Sequence, residues 1–552
     1  MHCSFVAGSI FNQNAGGVLN NDGAFLMSGN TFNYNGGNIT GNPIMLENST
    51  LVIAPGSTGT ADFILQSSGG GTGTYSGNLA PAQTLTLRGS DSSQSFVSVA
   101  NGFSNFSTIT LDSMGTKGAT LVVSTGALTN TVNGEIALRV GSGTNLDRTL
   151  SADVVNDGVF TVEPGINARL AKSAGVFTNN NTVDIAATAT LSFVAGSIFN
   201  QNAGGVLNND GAFLMSGNTF NYNGGNITGN PIMLENSTLV IAPGSTGTAD
   251  FILQSSGGGT GTYSGDLDPA QTLTLRGNDS SQSFVSVANG FTNGGSITLD
   301  SIGLKGATLN VTSGVLSNAP TGEINFQQGT GSNMVRTLAV DTLDNAGSLT
   351  VEENVVAGLL RNSATYTNSG TITLHDGGSL EVQGAGVRPF TNLPSGSIEG
   401  TGTLDVSGPG VAFSNEGEIS PGFGAGVLNI SGSVPFASTA SLRIEIGGPA
   451  LGTDYDQLAV TDAVSLDGDL MVSLFNGYTP APTDTFTILT GGTVSGLFAN
   501  APSVVSFNGG QFGVTYHPDS VVLGNFVIPE PSTAALLAVG AMLGWTRRRR
   551  WW

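Results

Sequence analysis

An internal duplication restricts the architectures that this chain can adopt. Residues 4–77 recur without a single change as residues 192–265, a displacement of 188 positions. The match continues with scattered differences as far as Arg148 and Arg336. A closed globular core would not tolerate the insertion of a copy of this size, whereas an array in which each unit contacts only its neighbours does tolerate it. The duplication therefore predicts a solenoid.

A shorter repeat lies inside the large one. An apolar residue precedes Asn or Asp, then one or two small residues and Gly, and another apolar residue follows. It occurs at Val132-Asn133-Gly134, Val155-Asn156-Asp157-Gly158-Val159, Asn345-Ala346-Gly347-Ser348-Leu349, Asn368-Ser369-Gly370-Thr371-Ile372 and Asn415-Glu416-Gly417-Glu418-Ile419.

The spacing of this repeat predicts the turn length of the solenoid. From Gly322 the glycines recur at Gly347, Gly370, Gly396 and Gly417, at intervals of 25, 23, 26 and 21 residues. This period suits one turn of a parallel β-helix, and residues 370–374 alternate polar and apolar as half-buried strands do. We attribute the Asn and Gly to left-handed backbone at tight corners, and we expect stacked asparagines to form hydrogen bonds from turn to turn.

The sequence changes character from about Pro421. Strand-like runs at 442–446 and 486–490 are separated by Asp454-Tyr455-Asp456 and Asp467-Gly468-Asp469. Over roughly 100 residues this region resembles the C-terminal part of autotransporter-type passenger β-helices. The resemblance implies the last turns of a β-helix followed by a β-rich closing region, and it implies little about function.

The composition excludes several classes of protein. The 38 acidic residues far outnumber the 16 basic ones, of which four stand together near the C-terminus. A surface of this sign repels phosphate backbones, so we expect no nucleic-acid partner. The 39% of hydrophobic residues argues against disorder. Cys3 is the only cysteine, which excludes an intrachain disulfide and a cysteine-based metal cluster.

The C-terminal segment differs from everything before it. Pro529-Glu530-Pro531 precedes an uncharged, helix-permissive stretch at 532–546 and then Arg547-Arg548-Arg549-Arg550. Arginines beyond an apolar helix stay on the cytoplasmic side, which places the body outside. Fifteen residues span about 22 Å as a helix, less than the roughly 30 Å hydrocarbon core. Such a short span suits a processed signal better than a permanent anchor, although an ordinary C-terminal anchor is the alternative.

This order of elements resembles the PEP-CTERM sorting signal of exopolysaccharide-producing Gram-negative bacteria. The resemblance covers about 24 of the 552 residues. It implies recognition of Pro529, Glu530 and Pro531 by an exosortase, a membrane-bound processing enzyme, with the helix anchored transiently in the inner membrane. The four arginines Arg547, Arg548, Arg549 and Arg550 complete the signal.

The start of the chain does not match its end, because Met1-His2-Cys3 is not preceded by a signal peptide. Ser4 also falls in the middle of a repeat unit. We therefore expect the natural product to begin further upstream, with a signal peptide and additional turns.

We predict an all-β fold: a right-handed parallel β-helix (solenoid) with a β-rich C-terminal closing region and a short C-terminal transmembrane helix. A first solenoid unit, truncated at its start, occupies residues 1–188, and its duplicate occupies residues 189–376. The last turns lie at 377–430, the closing region at 431–527 and the sorting signal at 528–552.

Few residues could support catalysis or bind a metal. His2, His375 and His517 have no companions at metal-ligand or catalytic-triad spacing, and we expect His375 to be a surface residue at a strand end. Asp454 and Asp456 would share one face of a strand and could bind a cation, with a solvated loop as the alternative.

Two further patterns have ordinary structural readings. Asp467-Gly468-Asp469 carries a hairpin-turn signal. The glycine-rich segment 69–73 and its copy lack the Lys-Ser/Thr of a phosphate loop, and we expect a flexible loop there. We accordingly predict no catalytic residues, no metal site and no cofactor.

We expect a non-enzymatic, exported structural or adhesion protein of the cell surface or extracellular matrix, sorted through its C-terminal signal. Exopolysaccharide is a candidate partner. The alternative is a β-helix protein that binds or degrades polysaccharide, which a groove with clustered carboxylates and basic residues would favour. A duplicated passenger without function is a third reading.

Overall fold

The computed structural model describes residues 2–528, with side chains from Phe5 onward, and within this range the chain forms only strands and turns. It divides into two compact units. Unit 1 runs from the start through Leu316 and includes Thr321–Ile324 and Gln328–Thr337; unit 2 comprises Ser317–Pro320, Asn325–Gln327 and the described residues from Leu338 onward.

The strands of unit 1 are short, and most of them contain four to seven residues. In chain order they are His2–Ser4, Ile10–Gln13, Val18–Asn21, Ala24–Ser28, Thr31–Tyr34, Asn38–Gly41, Ile44–Glu47, Thr50–Ile53, Ala61–Gln66, Gly73–Ser76, Gln83–Gly89, Ser95–Asn105, Thr108–Ser113, Ala119–Asn130, Glu135–Gly141, Asp147–Asn156, Val159–Val162, Asn167–Leu170, Val176–Asn179, Thr182–Ile185, Thr190–Phe193, Ile198–Gln201, Val206–Asn209, Ala212–Ser216, Thr219–Tyr222, Asn226–Gly229, Ile232–Glu235, Thr238–Ile241, Ala249–Gln254, Gly261–Ser264, Gln271–Gly277, Ser283–Val287, Phe291–Asn293, Ser296–Ser301 and Ala307–Val311.

Three strands contain residues of both units: Val315–Asn318, Glu323–Phe326 and Val335–Ala339. The strands of unit 2 are Thr342–Asn345, Ser348–Val351, Val356–Leu360, Thr365–Asn368, Thr371–Leu374, Ser379–Gln383, Arg388–Asn392, Ser397–Gly400, Thr403–Asp405, Val411–Asn415, Glu418–Pro421, Val427–Ser431, Val434–Pro435, Ser441–Ile446, Gln457–Val460, Ala463–Leu466, Asp469–Leu474, Phe486–Thr490, Thr493–Gly496, Val504–Phe507, Gly510–Tyr516 and Ser520–Val527.

The strands of unit 1 pair in parallel with the strands one turn later. Thr84 lies beside Thr108, Thr108 beside Glu135, and Glu135 beside Val159, so successive turns take 24, 27 and 24 residues. Parallel pairing at this interval is the defining feature of a β-solenoid. The predicted all-β solenoid is therefore confirmed.

Unit 1 contains turns with two strands and turns with three. The ten-residue strand Asp147–Asn156 marks the change, because its first half pairs with Asn167–Leu170 and its second half with Val176–Asn179. From there to Asn226–Gly229 the chain forms three short strands in each turn, and the turns directly after that have two again. The third of these is represented by Val159–Val162, which pairs with Thr182–Ile185.

The interior of each turn is filled by the alternate residues of its strands. In Thr219–Tyr222, Phe220 and Tyr222 are buried while Thr219 and Asn221 face outward. The ring of Phe199 stacks on those of Phe177 and Phe220 at centroid distances of 5.2 and 5.1 Å. Burying one such side chain contributes roughly 1.5–3 kcal/mol, and the repeat places an aromatic ring in successive turns.

A buried ladder of amides runs through unit 1 at the strand ends. Asn105 donates to Asn130 at 2.8 Å, Asn130 to Asn156 at 2.8 Å and Asn156 to Asn179 at 2.9 Å, and all four side chains are fully buried. Asn179 continues the ladder to Gln201 at 3.0 Å. The expected turn-to-turn hydrogen bonding of asparagines is confirmed.

Two details of that prediction were wrong. The ladder uses Asn130 rather than Asn133, because Asn130 is the last residue of its strand and its side chain turns inward. The glycines of the repeat are not required for left-handed backbone. Gly158 has no positive φ, but a Cβ on it would lie 2.2 Å from the Gly134 carbonyl oxygen. Close approach between turns therefore explains these glycines.

Unit 2 repeats this arrangement and ends differently. Ser348 pairs with Thr371, Thr371 with Ser397 and Ser397 with Glu418, which confirms the predicted intervals of 23, 26 and 21 residues. A second amide ladder joins Asn318, Asn345, Asn368, Asn392 and Asn415 at 2.7 to 2.8 Å.

The last strands of unit 2 pair in the antiparallel sense. Ser520–Val527 lies antiparallel to both Phe486–Thr490 and Gly510–Tyr516, and Gly510–Tyr516 also pairs with Val504–Phe507. Since these strands run against the stack, they cover the edge that a further parallel turn would otherwise extend.

Candidate functional site

The sequence-predicted sorting residues lie outside the described residues. These are Pro529, Glu530, Pro531, Arg547, Arg548, Arg549 and Arg550, together with the apolar stretch 532–546 that we predict to be a transmembrane helix. In the part of the chain that is described, no helix long and apolar enough to cross a membrane is found. The last described strand ends at Val527.

The predicted carboxylate pair Asp454 and Asp456 does not form. The two residues lie in a turn before the strand Gln457–Val460, not on one strand face. Asp454 accepts a hydrogen bond from the Ala450 amide at 3.1 Å, whereas Asp456 is fully buried and points to other strands. The assumption of an extended backbone at this point was wrong, so a shared cation between the two is not supported.

Asp456 holds together two segments of unit 2. Its carboxylate accepts hydrogen bonds from the backbone amides of Gly426 at 2.8 Å and Glu445 at 2.7 Å. Burial raises the pKa of Asp456 to about 7, against the opposing effect of those two amide donors. This carboxyl group lies in the core, away from solvent, and its role is structural.

The other candidate residues do not form a metal-binding cluster among the described residues either. Asp467 and Asp469 are exposed at a corner between two strands, and Gly468 between them has a φ of +68°. The flanking strands pair with other turns, so the corner is not the predicted hairpin. His375 is a half-exposed residue just after a strand, as expected, and its ring stacks on Phe423 at 4.9 Å. No cluster of three His, Cys, Asp or Glu suited to a metal occurs within residues 2–528.

Three buried arginines were not anticipated from the sequence. Arg148 is fully buried and donates to the carbonyl oxygens of Leu111, Arg139, Val140, Asn145 and Asp147. Burial lowers its pKa, although the carboxylates of Asp112, Asp147 and Glu163 oppose this shift. Arg336 in the duplicated segment has an equivalent role, bonding to the Leu299 carbonyl oxygen at 3.2 Å.

Arg388 is the third buried arginine and is less well satisfied. It donates from Nη2 to the Pro409 carbonyl oxygen at 2.7 Å. Its Nε and Nη1 atoms, and the nearby buried hydroxyl of Tyr366, have no hydrogen-bond partner within the described structure. The positive charge of Arg388 also opposes the raised pKa that burial gives Tyr366.

The outer surface of unit 1 carries rows of polar side chains that bond along the stack. In one row Asn180 donates to Asp157 at 2.6 Å, Asn202 to Asn180 at 2.6 Å and Asn223 to Asn202 at 2.8 Å. A parallel row joins Asn200 and Asn221 at 2.8 Å. These rows form a regular polar surface with one side chain per turn, spaced by about 4.8 Å.

A groove of about 550 Å³ opens on unit 1 beside the glycine-rich segment 69–73. We call it the Phe96 groove, and its lining comprises Gly70, Gly71, Thr72, Ser92, Ser93, Gln94, Phe96 and Lys117. Phe96 is 39% exposed although it belongs to the strand Ser95–Asn105. Lys117 is exposed and has no ion-pair partner among residues 2–528.

The duplication places the same residues together a second time. Phe284 is 38% exposed, and Gln282 donates to Thr308 at 2.6 Å as Gln94 does to Thr120. Lys305 corresponds to Lys117 and is likewise exposed. We call the surface around Phe284 and Lys305 the Phe284 copy. The sequence analysis did not predict the Phe96 groove or the Phe284 copy. The signal that could have indicated them is a phenylalanine at an outward-facing strand position, together with one of the only three lysines in the sequence.

Comparison with known proteins adds information at the C-terminus. The model of the PEP-CTERM protein-sorting motif matches residues 527–550, a range that includes all seven predicted sorting residues. No curated protein matches the chain. Among solved structures, the crystal structure of a TibC-catalyzed hyper-glycosylated TibA fragment aligns with 82% of this chain and 99% of that chain, at 12% identity. Its TM-score of 0.14 is too low to support an argument.

The match confirms the C-terminal segment as a sorting motif, and such a motif is the recognition signal of exosortase-type processing of exported proteins. The described residues before it are strands of a β-solenoid from the first turn to the antiparallel end. The chain is therefore an exported protein with a β-solenoid body and a C-terminal PEP-CTERM protein-sorting motif.

Proposed function

We propose that this protein is a structural or adhesion component of the cell surface or extracellular matrix. The observation that carries the proposal is the combination of a sorting motif with a body whose outer surface is a regular array of polar side chains. An array that repeats at every turn offers many equivalent contacts to a polymer, and such contacts gain strength from multivalency.

The ion pairs of the body leave little free positive charge. Arg88 pairs with Asp112 and Arg276 with Asp300, both at 2.8 Å. Lys172 pairs with Asp153 at the same distance. These pairs satisfy basic residues on the surface itself, and the amide rows are what a partner meets along the stack. Amides and hydroxyls are suited to the hydroxyl groups of polysaccharides.

The polysaccharide-degrading alternative has less support. Glycoside cleavage needs two carboxyl groups facing each other across one bond. The candidate carboxylates Asp454 and Asp456 bond to different segments, and the second is buried. Their placement favours binding over cleavage.

We further propose that an exosortase-type enzyme recognises Pro529, Glu530 and Pro531. In this scheme the stretch 532–546 anchors the chain transiently in the inner membrane, with the four arginines on the cytoplasmic side. The body is then delivered to the cell surface or the matrix.

The test combines binding and cleavage in one experiment. The full chain, purified in detergent, is incubated with the exopolysaccharide of its own bacterium and with a panel of acidic polysaccharides. We expect co-sedimentation with the polymer and no increase in reducing ends. Release of reducing ends at an enzymatic rate would establish the degrading alternative, and failure to bind the bacterium's own matrix would refute the matrix role.

A further inference from the structure

The Phe96 groove has the chemistry of a site for an acidic sugar. We propose that the Phe96 groove and the Phe284 copy each bind a uronic-acid residue of an acidic polysaccharide. The aromatic ring would stack on the sugar face, and the lysine would pair with the sugar carboxylate. This inference rests on the proposed matrix function and identifies the class of polymer that the body contacts.

The aromatic ring is the first element of the argument. Phe96 is 39% exposed on a strand whose neighbours Ser95 and Val97 are buried, so its ring faces outward. The backbone at this position is also fixed, because the Phe96 amide donates to Ser67 Oγ at 3.1 Å. A phenylalanine side chain has only two torsions to order, so on a fixed backbone it loses little conformational entropy when it contacts a ligand.

The glycine-rich segment leaves room above that ring. Asn48 holds the segment in place by exchanging hydrogen bonds with Ser68, at 3.0 Å from the Ser68 amide and 3.0 Å to its carbonyl oxygen. Gly71 packs so closely on Asn48 that a Cβ would lie 2.3 Å from it. Gly70 and Gly71 both line the groove, so this side of it has no side chains at those two positions. The loop predicted to be flexible has defined hydrogen bonds.

The lysine decides between an acidic and a neutral sugar. The body has 12 basic residues outside the C-terminal four arginines, against 38 acidic residues in the whole chain. Lys117 lines the groove and has no carboxylate within ion-pair distance among the described residues. Asp91 lies close by, but its carboxylate accepts from the Thr116 amide at 3.1 Å and does not line the groove. The acidic body as a whole repels a polyanion at long range, so the attraction for a carboxylated sugar is local to the groove, where an unpaired ammonium group lies beside an aromatic ring.

The groove recurs because the sequence is duplicated, and this recurrence is not evidence for a site. It does determine how many such sites one chain offers to a polymer. Strand pairing connects the second half of Ser95–Asn105 to Ser283–Val287 through eight steps. Phe96 lies in the first half of its strand, which continues instead through Thr149 and Arg169. At about 4.8 Å per step the two grooves are therefore separated by roughly 38 Å along the stack, in different columns of strands. A short oligosaccharide can fill one groove, whereas a polymer that spans both gains avidity.

The experiment compares two forms of one polymer. Polygalacturonate and its fully methyl-esterified form are immobilised separately, and binding of the full chain in detergent is measured by interferometry. Because esterification removes the carboxylate and keeps the sugar backbone, we expect binding to the ester to be weaker by about tenfold or more.

Variants identify the groove. We expect the double substitutions F96A with F284A, and K117Q with K305Q, each to weaken binding to polygalacturonate by about tenfold. The matched controls are F106A, an equally exposed phenylalanine at 40%, and R169Q, an exposed basic residue elsewhere. Neither control should change binding by more than about twofold. Circular dichroism establishes that each variant retains its strands.

The possible results are distinct. Equal binding to the acid and the ester, unchanged binding of both double variants, or no binding to polygalacturonate would each overturn the inference. If the wild-type chain nevertheless co-sediments with the exopolysaccharide of its own bacterium, the proposed matrix function stands without this site. If it does not, the proposed function itself fails.

Discussion

Replacement of one buried amide should weaken the solenoid far more than replacement of a matched amide on its surface. Asn130 and Asn202 each stand inside a row of amides, and each donates to one neighbour and accepts from another. They differ in burial, because Asn130 is fully buried whereas Asn202 is half-buried and accessible to water. Asn130→Ala and Asn202→Ala therefore isolate the effect of burial.

The magnitude follows from the bonds that are lost. The Asn130 side chain accepts from Asn105 and donates to Asn156 Oδ1 and to the Val159 carbonyl oxygen at 3.0 Å. Three bonds at about 1 kcal/mol each, together with about 1–2 kcal/mol for leaving the buried Asn156 Oδ1 without its donor, give about 4–5 kcal/mol. Water replaces the partners of Asn202, so we expect a loss of about 0.5 kcal/mol or less there.

Hydrogen exchange followed by mass spectrometry is the suitable assay, because neighbouring turns of a solenoid can open separately. Amides of the strands Glu135–Gly141 and Asp147–Asn156 should exchange more than about 100-fold faster in Asn130→Ala. Exchange in Asn202→Ala should match the wild type within about threefold. Similar exchange in the two variants would refute the idea that the buried ladder holds the turns together.

Two other predictions concern buried charge in the two units. Replacing Arg148 by Met removes its bonds to five carbonyl oxygens and should destabilise unit 1 by about 3–5 kcal/mol. Arg388→Met removes two unpartnered nitrogens, so unit 2 should be as stable as before or more stable. Urea unfolding measures both effects. The pKa of Asp456 is about 7 in the folded protein, above the ordinary aspartate value of 3.8. The stability that its protonated form contributes is therefore complete below about pH 4 and is lost as the pH rises to 7. The loss is at most about 4 kcal/mol. Asp456→Asn should abolish this part of the pH dependence of unfolding, and an unchanged profile between about pH 4 and 8 would contradict the raised pKa of Asp456. For Arg388, a large loss of stability in Arg388→Met would contradict the view that its unpartnered nitrogens destabilise unit 2.

The fold was more accessible from the sequence than the surface features. The glycine interval and the alternation of polar and apolar residues depend on local spacing, so the register of Thr371, Ser397 and Glu418 follows from the repeat alone. The choice of Asn130 over Asn133 could not be made in this way, because both fit the repeat and only the strand end decides which one turns inward.

The Phe96 groove could not be predicted from the sequence of a single turn. Phe96 and Lys117 belong to successive turns, and Gly71 belongs to the turn before them. Their proximity is set by the stacking of three turns, and the sequence repeat does not state how the loops of those turns meet. Asp454 and Asp456 failed as a pair for the related reason that the local backbone is a turn and not a strand.

The destination of the body in living cells tests the central claim most directly. The fraction of the chain found in washed extracellular matrix is measured by immunoblot for the wild type and for a variant in which Pro529, Glu530 and Pro531 are all replaced by Ala. Both are also expressed in cells that lack exosortase. We predict that the wild-type body reaches the cell surface and matrix only when exosortase is present, and that the variant is retained with the membrane in both strains. Equal delivery of wild type and variant, or delivery that is independent of exosortase, would contradict the account.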